Sequence, residues 1–108
     1  MNDLIKKAPL YGLRQECIDA LCTVFDAHED VLKVVLYGSR AKGTFRPGSD
    51  IDLTVVAPAG TTKLLNKIMT ELDDLLLPYE IDLSLHHHID NQDLLEHIQR
   101  VGKVIYKR

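Results

Sequence analysis

Across residues 10–28 the apolar side chains Leu13, Cys17, Ala20, Leu21, Val24 and Phe25 recur at steps of three and four, with Arg14, Glu16, Asp19 and Asp26 mostly between them. That period predicts an amphipathic helix with one buried stripe. Residues 31–37 are rich in β-branched and aromatic side chains, broken only by Lys33, and run into Gly38-Ser39. They predict a largely buried strand ending in a tight turn. Ser39 is expected to cap a short helical turn through Lys42. Residues 43–49, with Arg46-Pro47-Gly48 and no apolar period, read as a loop. Residues 50–56 alternate acidic and aliphatic before turning wholly apolar, as in a strand whose first half faces a site and whose second half enters the core.

After Pro58-Ala59-Gly60, Thr61 or Thr62 is placed to cap a second helix. In it Leu64, Leu65, Ile68, Met69, Leu72, Leu75 and Leu76 make a stripe wide enough to cover a sheet, and Pro78 stops it. Residues 79–85 put Glu80, Asp82 and Ser84 on one face and Ile81, Leu83 and Leu85 on the other, a third strand. Asp90 or Asn91 caps a last helix carrying Leu94, Leu95, Ile98 and Val101, which Gly102 ends before the short apolar Val104-Ile105-Tyr106. The order of elements is α/β: a small mixed β-sheet on the strands near 31–37, 50–56 and 79–85, backed by helices on one side.

Composition narrows this further. The chain has 108 residues, 45% of them hydrophobic, and no Pro/Gly/Ser-rich linker, so residues 1–108 are expected to form a single domain. A domain of that size leaves little protein to enclose a substrate, so a partner or a second copy is expected to complete the site. The formal charge of -3 argues against broad, sequence-independent nucleic-acid binding, which needs clustered Lys and Arg. Cys17 and Cys22 are five helical steps apart, roughly 140° around the axis, which disfavours a disulfide within the helix and reads as reduced thiols in a cytoplasmic protein. Residues 1–9 are polar and charged, and no apolar run approaches the ~20 residues needed to cross a bilayer.

The chemistry concentrates in one stretch. Gly38-Ser39-Arg40-Ala41-Lys42-Gly43 is followed by Ser49-Asp50-Ile51-Asp52, and Asp50 and Asp52, two apart on an extended segment, point to the same face. Two carboxylates on one face repel unless a cation lies between them, and hard oxygen ligands favour Mg²⁺. Gly38 lets the backbone approach a ligand, while the Ser39 hydroxyl and the free N–H groups at the start of the short helix can donate to a phosphate. Asp82 on a neighbouring strand is a candidate third carboxylate, able to bind a second ion and to take a proton from an attacking hydroxyl.

Gly38-Ser39, ten intervening residues, Asp50-Ile51-Asp52 and a later Asp82 together resemble the nucleotidyltransferase superfamily of DNA polymerase beta. The continuous match, Leu36 to Gly43 and then Ser49 to Leu53, is most similar to its minimal nucleotidyltransferase (MNT) branch. The resemblance implies a nucleotide held by Gly38, Ser39, Arg40 and Ser49, and two Mg²⁺ ions held by Asp50, Asp52 and Asp82, which are also the catalytic residues. It further implies a partner, a helical HEPN-type ribonuclease toxin, for which such proteins serve as antitoxins by moving AMP from ATP onto a toxin tyrosine with release of pyrophosphate. Two alternatives stand beside this: a non-catalytic antitoxin that neutralises by binding, and a transferase acting on a small molecule such as an aminoglycoside. The base preference, the acceptor hydroxyl, the number of units added and the homo- or hetero-oligomeric state are not fixed by the motif.

Other conspicuous residues read more plainly. His86-His87-His88 looks like a metal cluster, yet adjacent residues on a strand alternate faces and cannot all reach one ion. Glu80 reads as solvent-facing or a supporting neighbour, Arg46 as a mobile loop arginine, and Tyr37 as packing beneath the turn. Arg40 and Lys42 are candidate triphosphate ligands, Arg40 before Lys42, with a solvated face as the equal alternative.

Overall fold

In the computed structural model, which describes residues 10–108, the first apolar stripe winds into α1 (Gln15–Asp26). The polar start read over residues 1–9 lies outside the described residues. The helix begins later than its apolar period, because Tyr11 and Gly12 adopt φ of 59° and 74° and turn the chain back on itself. Leu13 therefore enters the core from the turn and not from the helix.

The strand entering the turn is β1 (Lys33–Tyr37), followed directly by α2 (Gly38–Lys42). The predicted cap by Ser39 does not form: Tyr37 holds the cap position, no side chain caps the helix, and Ser39 is its second residue. Next come β2 (Ile51–Val56), α3 (Thr62–Asp73) and β3 (Ile81–Leu85). The triple histidine His86–His88 forms one 3-10 turn, after which α4 (Gln92–Val101) and β4 (Lys103–Lys107) close the fold. Asn91 caps α4, its Oδ1 accepting the Leu94 N–H at 3.1 Å. Thr61 occupies the cap position of α3 without a side-chain hydrogen bond. That helix stops at Asp73, short of Leu75 and Leu76; Leu76 has φ 55° and is 87% exposed, so it leaves the apolar stripe in which its spacing placed it.

The sheet has four strands in the order β3-β2-β1-β4. β1 runs antiparallel to β2 and β4, while β2 and β3 are parallel, as a strand–helix–strand crossover through α3 requires. The apolar Val104-Ile105-Tyr106 thus becomes an edge strand, tied down where the Tyr106 hydroxyl donates to Asp26 at 2.7 Å and Arg108 Nε donates to the Val31 carbonyl at 2.9 Å.

Helices cover both faces of the sheet, where the sequence predicts one. Val34 and Leu36 of β1, Ile51, Leu53 and Val55 of β2, and Leu83 and Leu85 of β3 face the main core with Leu21 and Phe25 of α1 and Ile68 and Leu72 of α3. Val35 and Tyr37 point the other way and pack on Ile98 of α4, with Leu94 and Val101 beside it. A strand apolar on both faces needs cover on both, and β1 is such a strand.

Candidate active site

The face of the sheet beneath α4 carries the candidate catalytic carboxylates Asp52 and Asp82. Along β2 and β3 the alternation of side chains puts Asp52 and Thr54, Asp82 and Ser84 on this face, opposite the core-facing Leu53, Leu83 and their neighbours. In register, Asp52 lies between Tyr37 of β1 and Asp82 of β3. Paired residues on adjacent strands are about 5 Å apart, so the two carboxylates are direct neighbours. Asp50 sits one residue before β2, outside the strand that its alternation predicts, and both it and Asp82 are exposed while Asp52 is half-buried. Deeper in the sheet the Ser84 hydroxyl donates to Thr54 Oγ1 at 3.1 Å, which satisfies the fully buried threonine.

Burial, and then the charges of Asp82 and Asp50, push the Asp52 carboxyl above the ordinary carboxylate range. The Tyr37 hydroxyl is pushed up as well, by burial and then by Asp82 and Asp52, with Ser84 acting the other way. Asp52 is perturbed by two other carboxylates and by no lysine or arginine, an environment short of positive charge. No three His, Cys, Asp or Glu side chains among the described residues are already drawn together as a metal-holding group.

The turn is fitted to this cluster. Gly38 has φ 75°, and a Cβ there would overlap the Asp52 carboxylate, so backbone conformation and space both require glycine. Its N–H donates to Nε2 of His97 at 3.0 Å. His97 stands on α4, half-buried, with its ring edge-on to Tyr37 at a centroid distance of 6.1 Å. The sequence does not single out His97: it neighbours the apolar position Ile98 on an amphipathic helix, and its target lies 59 residues away.

Arg40 is placed otherwise than as a triphosphate ligand. It is 2% exposed, and its guanidinium points inward, donating from Nε and Nη2 to the Ser49 carbonyl at 3.1 and 2.8 Å and from Nη1 to the Tyr11 carbonyl at 2.9 Å. The rings of Tyr79 and Phe45 lie against it at 4.9 and 5.3 Å. Gly12 makes room for this arrangement, since a Cβ there would strike the Phe45 ring. Arg40 thereby fastens the loop that ends at Ser49 and Asp50. The Ser49 hydroxyl accepts the Arg46 N–H at 2.8 Å and keeps its own proton free to donate. Elsewhere, His87 and His88 stack edge-to-face on each other at 4.5 Å. Cys17 and Cys22 are free thiols, and Cys22 donates to the Ile105 carbonyl. No helix among the described residues is long and apolar enough to cross a membrane.

The family described as polymerase beta, nucleotidyltransferase matches residues 19–108. Similar folds occur in a toxin–antitoxin with AMP-PNP (TM-score 0.68, 20% identity, 84% of this chain and 73% of that one). A mutant MntA-HpeT toxin–antitoxin is similar too (TM-score 0.66, 21% identity, 89% and 75%). So is a tri-AMPylated Shewanella oneidensis HEPN toxin in complex with MNT antitoxin (TM-score 0.57, 21% identity, 87% and 72%). At these identities the likeness is one of fold. None of the curated proteins is a match.

Proposed function

The chain belongs to the polymerase beta nucleotidyltransferase family, and we propose that it transfers AMP from ATP to a tyrosine hydroxyl of a HEPN-type ribonuclease toxin in the cytoplasm, silencing it. The observation that carries this reading is the in-register pair Asp52 and Asp82, set against a turn whose Gly38 leaves no room for a side chain. Structures of similar fold that hold toxin–antitoxin pairs, one of them with an AMPylated HEPN toxin, support the choice of acceptor.

The carboxylate cluster fits Mg²⁺. Its donors are all hard oxygens, burial and then repulsion by Asp82 and Asp50 raise the affinity of Asp52 for a proton, and a divalent cation would answer the repulsive part of that deficit. Asp50, Asp52 and Asp82 would hold two ions, completed by water and phosphate oxygens. When bound, the ions would neutralise charge developing on the phosphates and acidify the acceptor hydroxyl.

The protein's own groups do the rest. Gly38 and Ser39 receive the triphosphate, the Ser49 hydroxyl donates to it, and Arg40 keeps the loop bearing Asp50 in place. Exposed Asp82 takes the proton of the tyrosine hydroxyl as that oxygen forms its bond to the α-phosphorus. The bond to the bridging oxygen breaks, and pyrophosphate leaves with its electron pair. Because Asp50 and Asp82 are open to solvent, the site admits a side chain carried on a whole protein.

Incubation with labelled ATP, Mg²⁺ and a candidate HEPN toxin is expected to label the toxin, and Asp52→Asn to abolish labelling. Full neutralisation of the toxin by an Asp50→Asn/Asp52→Asn protein, without modification, would establish the non-catalytic antitoxin instead.

A further inference from the structure

We propose that His97 is a positioning residue of this transferase: by accepting the Gly38 N–H at Nε2, it sets the separation between the Gly38-Ser39 turn and the Asp52 carboxylate. The inference rests on the transfer reading above.

Gly38 is gripped from two sides. Its Cα abuts the Asp52 carboxylate with no space for a Cβ, and its N–H is held by His97 at 3.0 Å. The acceptor is itself fixed by packing. Ile98, the next residue on α4, is buried in the cluster with Val35 and Tyr37, and the Tyr37 ring meets the imidazole edge-on at 83°. An acceptor borne on a packed helix holds a turn more exactly than a solvent molecule could. It also occupies an N–H that has no partner within so short a helix.

The direction of this hydrogen bond defines what His97 does. To accept at Nε2 the ring must carry its proton on Nδ1. A histidine whose hydrogen-bond partner abuts an aspartate carboxylate would ordinarily be read as that carboxylate's counter-ion or as a proton acceptor. Here the lone pair that either role needs is already committed to Gly38. The remaining role is geometric: if the hydrogen bond is lost, the turn can drift from Asp52, and a displacement on the order of 1 Å at reacting groups costs about a hundredfold in rate.

The experiment compares wild type, His97→Leu and His97→Gln, whose longer amide can still accept from Gly38. Gly38 amide exchange, thermal melting and the kcat and KM of AMP transfer from Mg·ATP to the toxin are measured on each. His97→Leu is expected to expose the Gly38 amide and to lower kcat by roughly ten- to a hundredfold, with KM changed less than about threefold. His97→Gln is expected to restore both the protection and most of kcat. If His97→Leu does not fold, His97→Asn, whose amide is too short to reach, takes its place. Transfer by the His97→Leu or His97→Asn protein within about twofold of wild type, or a Gln variant as slow as they are, overturns the inference alone. A wild type that protects Gly38 yet transfers nothing overturns the proposed function, and the inference with it.

Discussion

Replacing Arg40 with methionine separates a residue that binds triphosphate from one that holds the fold. The native side chain makes three hydrogen bonds, at 2.8, 2.9 and 3.1 Å, to the carbonyls of Ser49 and Tyr11. Hydrogen bonds to a charged group contribute about 1.5–3 kcal/mol each when lost singly. They do not add here, because two share the Ser49 oxygen and both carbonyls lie in loops that water can reach. Contacts with the Tyr79 and Phe45 rings add about 0.5–2 kcal/mol each in a desolvated setting. Against this, methionine refills the volume of the stem, and removing a 2%-exposed guanidinium relieves its desolvation. The balance is a loss of about 3 kcal/mol out of the roughly 5–15 kcal/mol typical of a domain. At about 4–8 °C per kcal/mol for a chain of this size, Tm should fall by roughly 12–24 °C. The assay is a calorimetric or far-UV circular dichroism melt with a guanidinium titration, followed by ATP kinetics at a temperature where both proteins are folded. There KM for ATP should change less than about threefold. A variant that melts within about 3 °C of wild type but has a tenfold higher KM would put the guanidinium on the triphosphate and refute the reasoning.

The acidic cluster gives a prediction with a definite sign. The folded-state pKa of Asp52 lies above its unfolded value, so the folded protein binds more protons, and stability falls as pH rises from the ordinary aspartate range through that raised value. In metal-free buffer at pH 7 Asp52→Asn should therefore melt above wild type, an advantage that vanishes in acid; melts across that range check it, and a constant difference would contradict it. Gly38→Ala should cost about 1–2 kcal/mol for the left-handed backbone, and its overlap with Asp52 should cut AMP transfer by about a hundredfold. A fully active alanine variant would show that the turn has more room than its geometry allows. Asn91→Ala removes the cap of α4 and should cost about 1 kcal/mol, read as a Tm decrease of roughly 4–8 °C.

Period and punctuation made much of the fold legible. The alternation at Asp50-Ile51-Asp52 and at Ile81-Asp82-Leu83 assigns the acids to one face and the aliphatics to the other before any strand is paired. The continuous apolar run of β1 also carries the signal of cover on both faces, which the placement of α4 then expresses. Where local patterns mislead, a longer-range interaction has prevailed. Ser39 has a capping side chain, but the helix starts a residue before it. Leu76 continues a helical period, but the chain has already turned at Asp73 towards β3. Arg40 has the residue type of a phosphate ligand, yet two carbonyls and two rings, from segments on either side of it, draw it inward.

The sequence by itself determined which residues are candidates for chemistry and which face of each strand they occupy, because both follow from side-chain type and backbone period within a few residues. Strand pairing and helix placement decided what those residues meet. The parallel register of β2 and β3 puts Asp52 beside Asp82, 30 positions along the chain, and α4 brings His97 to Gly38 across 59. Neither encounter has a local signature, since hydrogen-bond register and packing against a distant strand are settled only when the whole sheet and the core beneath it close together.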